Sequence, residues 1–246
     1  MKSFLKFLIS SVVISSALLG LGYYLDRTGF FNLTQVNLLI EQSDNQVLKM
    51  KDKISVLKSK LETNKGQALY KIELKTIKQL LNNETWISSY QISRRWPSKI
   101  EVLIQPEKIY FSVLTSTGEL KPVIQSGEML ESVKINASAD VPIIRQSEFL
   151  KDEELRKRAI QLLKDIPLTG VFSRSEISEI QYSEKEGFTL FMSRDHLRVK
   201  LGEKQVRNKS LQVTQVMNYL VNKKIQARVI DANLSQKVLV RLRKAP

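Results

Sequence analysis

From Phe7 to Leu25 the chain runs for 19 residues without a charged side chain. No other feature restricts the fold so strongly. As an α-helix rising about 1.5 Å per residue, such a run spans roughly 28 Å, close to the hydrocarbon thickness of a bilayer. Tyr23 and Tyr24 stand at its far end, where an aromatic belt meets lipid headgroups. A cleaved signal peptide has a shorter apolar core, about 7–15 residues, followed by a small-residue cleavage site. This run is longer, and no such site follows it. The segment is therefore expected to stay on the protein as a transmembrane helix over residues 7–25. Lys2 and Lys6 precede it, while Asp26 and Arg27 cancel after it. The positive-inside rule then predicts a short cytoplasmic tail, residues 1–6, with the bulk of the chain on the other side.

For that bulk, composition excludes more than it assigns. Hydrophobic content of 42% is enough for a packed core. The absence of cysteine removes disulfides, thiolate nucleophiles and cysteine metal sites. The net charge of +14 is spread along the chain without a block of like charges, which reads as solvated surface. An exported location argues against nucleic acid as the partner.

"FFNLTQVNLLI" (Phe30–Ile40) is apolar and β-capable, and predicts a strand. Val47, Met50, Ile54, Leu57 and Leu61 then recur at spacings of 3, 4, 3 and 4. Only two heptads fit before Gly66, so an amphipathic helix lying on a sheet is expected rather than a coiled coil. A second helix fits Glu73–Asn82, with Leu74, Ile77, Leu80 and Leu81 on one face. Two strands follow, one ending near Ile92 and one alternating through Ile100, Val102 and Ile104, with Pro97 in the connection between them. Trp96 is expected to bury its ring over this small βααββ unit, and Arg94 and Arg95 to alternate sides. Beyond Tyr110 the texture changes to short strands, glycine turns, a helix over Lys151–Lys164, a strand pair in "FTLFM" and "LRVKL", and a helix marked by Val213 to Val221. The last strand, Lys237–Arg243, sets Val238, Val240 and Leu242 one way and Lys237, Leu239, Arg241 and Arg243 the other. The fold class is α+β: a transmembrane helix, a βααββ domain, then a mixed α/β domain ending on a strand.

Catalytic signatures are sparse. His196 is the sole histidine and has no cysteine or second histidine with which to hold a metal. No glycine-rich phosphate loop is present. Ser55 and Lys58 make an S-x-x-K match, but no S-D-N or K-T-G accompanies it. No enzyme activity and no cofactor are expected.

The stretch "ETWISSYQISRRWPSKIEVLI" resembles the end of the POTRA domain in the FtsQ/DivIB family of bacterial division proteins. "GQALYKIELKTIKQLL", "ELKPVIQSGEML", "VPIIR", "LRVKLG" and "ARVIDANLSQKVLVRL" are similar to further family stretches, in the family's order. The resemblance implies a POTRA-like domain over residues 26–107 and an FtsQ-type β domain over 108–246. It implies a single-pass inner-membrane scaffold at the division septum, linking early and late septal proteins, with its bulk in the periplasm. Its last strands would hold a complex of two small coiled-coil membrane proteins, FtsB and FtsL. The expected partner-binding residues are Leu234, Lys237, Leu239, Arg241 and Arg243, together with Arg94 and Arg95. This chain departs from the family where Pro106-Glu107-Lys108-Ile109 follows the alternating strand, and where Asn233, Leu234 and Lys237 replace the usual arginine, tyrosine and glycine. The alternative is another membrane-anchored periplasmic adaptor, of a secretion or outer-membrane assembly system.

Overall fold

The computed structural model describes residues 2–41, 51–194, 196–234 and 237–243. Val47 and Met50 of the expected helical seam lie outside the described residues. Helix α1 (Lys2–Arg27) carries the uncharged run, and its Phe7–Arg27 portion is long and apolar enough to cross a membrane, with none of it buried. Gly29 ends it. Its φ of +74° lets its N–H reach the Asp26 carbonyl at 3.1 Å while Phe30 N–H reaches that of Leu25 at 3.1 Å. This paired closure is the Schellman motif, in which a left-handed residue satisfies the last carbonyls and glycine alone bears no strain.

The first unit then builds β1 (Gln35–Ile40), α2 (Lys51–Glu62), α3 (Leu74–Asn82), β2 (Ile87–Arg95) and β3 (Lys99–Pro106). The strand order is β1-β3-β2, with β1 parallel and β2 antiparallel to β3. Alternation on β3 buries Ile100, Val102 and Ile104 completely, and Leu57, Leu61, Ile77 and Leu81 of the two helices close the core over them. The expected strand from Phe30 is shorter than its pattern. Phe30 and Phe31 lie in the turn leaving α1, and Asn32 makes only a single bridge to Ala68.

Trp96 also departs from expectation, being 59% exposed. Strand β2 ends at Arg95 and the chain reverses before Lys99, so Trp96 lies in the turn, beyond both sheet faces. Its ring meets Phe31 edge-on at 6.0 Å instead. The aromatic that fills the core is Trp86, 1% exposed, whose indole N–H donates to Glu84 Oε2 at 2.8 Å.

The second unit contains β4 (Ile109–Leu114), β5 (Leu120–Ile124), β6 (Ile143–Ile144), α4 (Glu148–Lys151), α5 (Glu153–Lys164), β7 (Ile177–Ser183), β8 (Gly187–Met192), β9 (Arg198–Gly202), α6 (Val206–Asn222), β10 (Ala227–Asp231) and β11 (Leu239–Leu242). Its sheet runs β11-β10-β9-β8-β7-β6-β4-β5. Phe111, Ile180, Leu190, Val199 and Ile230 cover one face and pack on Phe149, Leu163 and Val213 of the helices. The helix expected over Lys151–Lys164 is broken at Asp152, which is extended and whose carboxylate accepts the Leu155 N–H at 2.9 Å. An N-cap there restarts the helix as α5. Helix α6 starts at Val206, well before Val213, and its first turns bury Val206 together with the polar Lys209 and Ser210, which interrupts the apolar pattern.

Candidate functional site

A strand at the end of a sheet exposes a row of main-chain donors and acceptors, which must be covered or left available to another chain. The two ends of the larger sheet are treated differently. Along β5 the chain folds back on itself: Leu120 N–H meets the Val133 carbonyl at 2.9 Å, Val133 N–H returns to Leu120 at 2.8 Å, and Leu130 N–H reaches Pro122 at 2.8 Å. At the opposite end β11 pairs antiparallel with β10 alone, and no described strand lies outside it.

The side chains of β11 divide by face. Val240 sits opposite Ile230 and packs, with Val238, against the core. Leu239 and Arg241 sit opposite Asp231 and Val229 on the outer face, both exposed. Arg241 ends a row across five strands: Glu179, Phe191, Arg198, Val229 and Arg241 are successive partners. The Arg198 guanidinium lies 5.1 Å from the Phe191 ring centroid, and Arg145 Nε pairs with Glu179 at 3.0 Å. The outer face is therefore cationic with an aromatic floor. Leu234, Lys237 and Arg243 are exposed beside the same edge. Leu242, which the alternation sets on the same side as Val238 and Val240, is 58% exposed. It pairs with Ala227 past a bulge in β10, and an alanine has too little side chain to cover it.

Arg94 and Arg95 lie in the other unit and do alternate. Arg94 turns inward, and its Nη2 donates to the Ile72 carbonyl at 2.6 Å. Arg95 stays exposed and donates to Glu101 Oε1 through Nε and Nη2 at 3.2 and 2.8 Å, which pushes its pKa up. Arg94 thus holds its own domain together, while Arg95 presents a cation at the surface. Ser55 and Lys58 are exposed on α2, and His196 is exposed at a left-handed turn residue, φ +48°.

Sequence reasoning missed Lys209. Its ammonium is buried and donates to the Leu201 carbonyl at 2.8 Å and to Asn233 Oδ1 at 3.3 Å, while Asn233 Nδ2 donates to the Glu186 carbonyl at 3.2 Å. Reading the helical face of Val213 backwards through Ser210 and Lys209 to Val206 is the signal that would have found it. Burial pushes the Lys209 pKa below the ordinary 10.5, with Asp231 partly offsetting the shift. Between the two values the unfolded chain binds the extra proton, so this lysine's contribution to stability rises with pH. The unfolding free energy of the native protein relative to Lys209→Met should accordingly grow as pH is raised towards 10.5, measured by denaturant titration. A flat difference would mean the ammonium is solvated.

An apolar N-terminal helix that fits a membrane span, a βααββ unit and a larger β unit with no described strand outside β11 define a POTRA protein with a candidate membrane span. Residues 45–105 match the model of the FtsQ-type POTRA domain, and residues 113–233 match that of the C-terminal part of cell division protein FtsQ/DivIB. The chain belongs to the FtsQ/DivIB family of cell division proteins. It is 26% identical over 183 residues to "Cell division protein FtsQ" of Geobacter sp. strain M21, covering 72% of this chain and 66% of that relative, just under two thirds. It is 24% identical over 231 residues to the protein of the same description from Geotalea daltonii, covering 90% and 80%. The C-terminal match stops at Asn233, so β11 lies beyond it.

Proposed function

We propose that this protein is a non-enzymatic scaffold of the bacterial division machinery that captures partner segments on the open edge of β11. It sits in the inner membrane through α1, with its N-terminus cytoplasmic and its two folded units in the periplasm, and links early and late proteins at the septum. The single observation that carries the reading is the contrast between the two sheet edges: β5 is closed by its own chain, and no described strand lies outside β11. Strand addition uses such an edge: main-chain hydrogen bonds supply affinity and alternate side chains set the register. Leu234 and Leu239 offer apolar contact, and Lys237, Arg241 and Arg243 favour a segment carrying acidic residues. A complex of the FtsB and FtsL type, two small coiled-coil membrane proteins, is the partner that the family resemblance implies, and Arg95 offers a second, separate contact.

The double reversal Arg241→Glu, Arg243→Glu should slow association with that complex by roughly tenfold at low salt, since rim charges act mainly on encounter. Circular dichroism should be unchanged. A folded variant with a native association rate would show that the cations only protect the edge from aggregation. A fluorescent fusion concentrated at mid-cell separates the division role from that of an adaptor in secretion or outer-membrane assembly, which would spread around the envelope.

A further inference from the structure

The turn that leaves the membrane helix carries an aromatic cluster that the partner edge does not use. Phe30 and Phe31 stack edge-on at 5.2 Å, and Phe31 meets Trp96 edge-on at 6.0 Å. Phe30 is 50% exposed and Trp96 59%. An exposed tryptophan beside an exposed phenylalanine marks a surface that meets something less polar than water.

Position selects what that is. Phe30 is the residue that closes the end of α1, bonded to the Leu25 carbonyl, and Leu25 is the last residue of the uncharged run. No slack chain separates the two. Leu69 N–H binds the Phe31 carbonyl at 2.8 Å, Leu33 N–H binds Gln67 at 2.8 Å, and Thr34 N–H binds Ser98, beside Trp96 and Pro97, at 2.9 Å. The Tyr70 hydroxyl donates to Asp26 Oδ1 at 2.7 Å, which fastens the helix end to the same unit. The cluster is therefore held within about one helical turn of the end of the span, at the depth where headgroups lie. Tryptophan is favoured at that depth because its ring is apolar and its N–H is not. Arg27, Lys71 and Lys99 are exposed on the same segments and suit anionic headgroups.

We infer that Phe30, Phe31 and Trp96 rest in the headgroup region of the bilayer that α1 crosses, and that this contact fixes the height and tilt of the POTRA unit above the membrane. The bilayer, rather than a protein, is the occupant because the cluster is continuous with the span itself. The inference rests on α1 crossing the membrane and goes beyond the scaffold reading.

Only two tryptophans are present, and Trp86 is buried, so the share of the emission that lipid-borne bromine can quench reports on Trp96. The full-length protein is reconstituted in vesicles of phosphatidylcholine and phosphatidylglycerol, with part of the phosphatidylcholine brominated near the top of its acyl chains. The expected result is loss of roughly half the tryptophan emission, with a blue shift of the quenchable component. Trp96→Phe should abolish the quenchable share while leaving the buried component in place. Emission that ignores brominated lipid yet yields to aqueous acrylamide overturns the inference, as does quenching that appears only after a division partner is added. Flotation of the protein with the vesicles tests the anchor separately, so a floating but unquenched protein sinks this contact and leaves the span standing.

Discussion

Truncation of Trp86 to alanine should destabilise the POTRA unit by about 3–5 kcal/mol, the usual range for deleting a buried large aromatic. Domains are stable by only about 5–15 kcal/mol, so most of the margin is at stake. The indole is 1% exposed and shares the core with Leu57, Leu61, Leu81 and Ile104. Trp86 is among the largest fully buried side chains, so its truncation leaves a large cavity. The lost N–H bond to Glu84 adds to the cost, although Glu84 keeps its contact with Lys60 at 3.5 Å. The same change at Trp96, exposed in the turn, should cost about 1 kcal/mol or less in the fragment freed of its membrane helix. Denaturant unfolding of that fragment, followed by circular dichroism, measures both. If Trp96→Ala proves the more damaging, the assignment of the core aromatic is wrong.

The two tryptophans show where sequence reading succeeds and where it fails. Periodicity located α2, α3 and β3 of the POTRA unit because each buries one regular face, as with Ile100, Val102 and Ile104. Periodicity says nothing of a residue in a turn. Trp96 between two arginines and a proline suggested a plug, yet the direction of a turn side chain depends on how the strands around it are placed. Trp86 sits one residue before β2, where α3 has ended, and no repeat pointed to it.

The partner edge was half legible. Alternation in "KVLVRLR" separates a core-facing set from a cationic one, and Val238 and Val240 do pack inward. That β11 would be an outermost strand is a property of strand order, which places it beside β10 although the expected strand pair β8 and β9 lies further in. That β5 would be covered depends on the return of residues 128–133, also invisible to local pattern. The buried amine of Lys209 was hidden for a related reason. A lysine reads as surface until a carbonyl and an amide are brought to its end by other parts of the chain.

Replacing Gly187 by alanine should cost roughly 2–5 kcal/mol and loosen the β8–β9 ladder, by two separate penalties. The residue holds φ at +69°, where an L side chain pays about 1–2 kcal/mol. An added Cβ would also lie 2.7 Å from Gly202 Cα, 2.8 Å from its carbonyl carbon and 3.0 Å from Glu203 N, all backbone atoms. Those atoms cannot yield without moving β9, whose Gly202 pairs with Phe188 next to the substituted position. Overpacking of this kind costs about 1–3 kcal/mol. Gly118 supplies the control. It has φ of +82° but nothing within 4 Å of an added methyl, so Gly118→Ala carries the backbone penalty alone. Comparing the two variants by denaturant unfolding isolates the contact from the conformation, and hydrogen exchange at Phe188 and Gly202 locates the damage. Equal losses at both positions would mean that β8 and β9 do not approach as closely at this corner as their glycines permit.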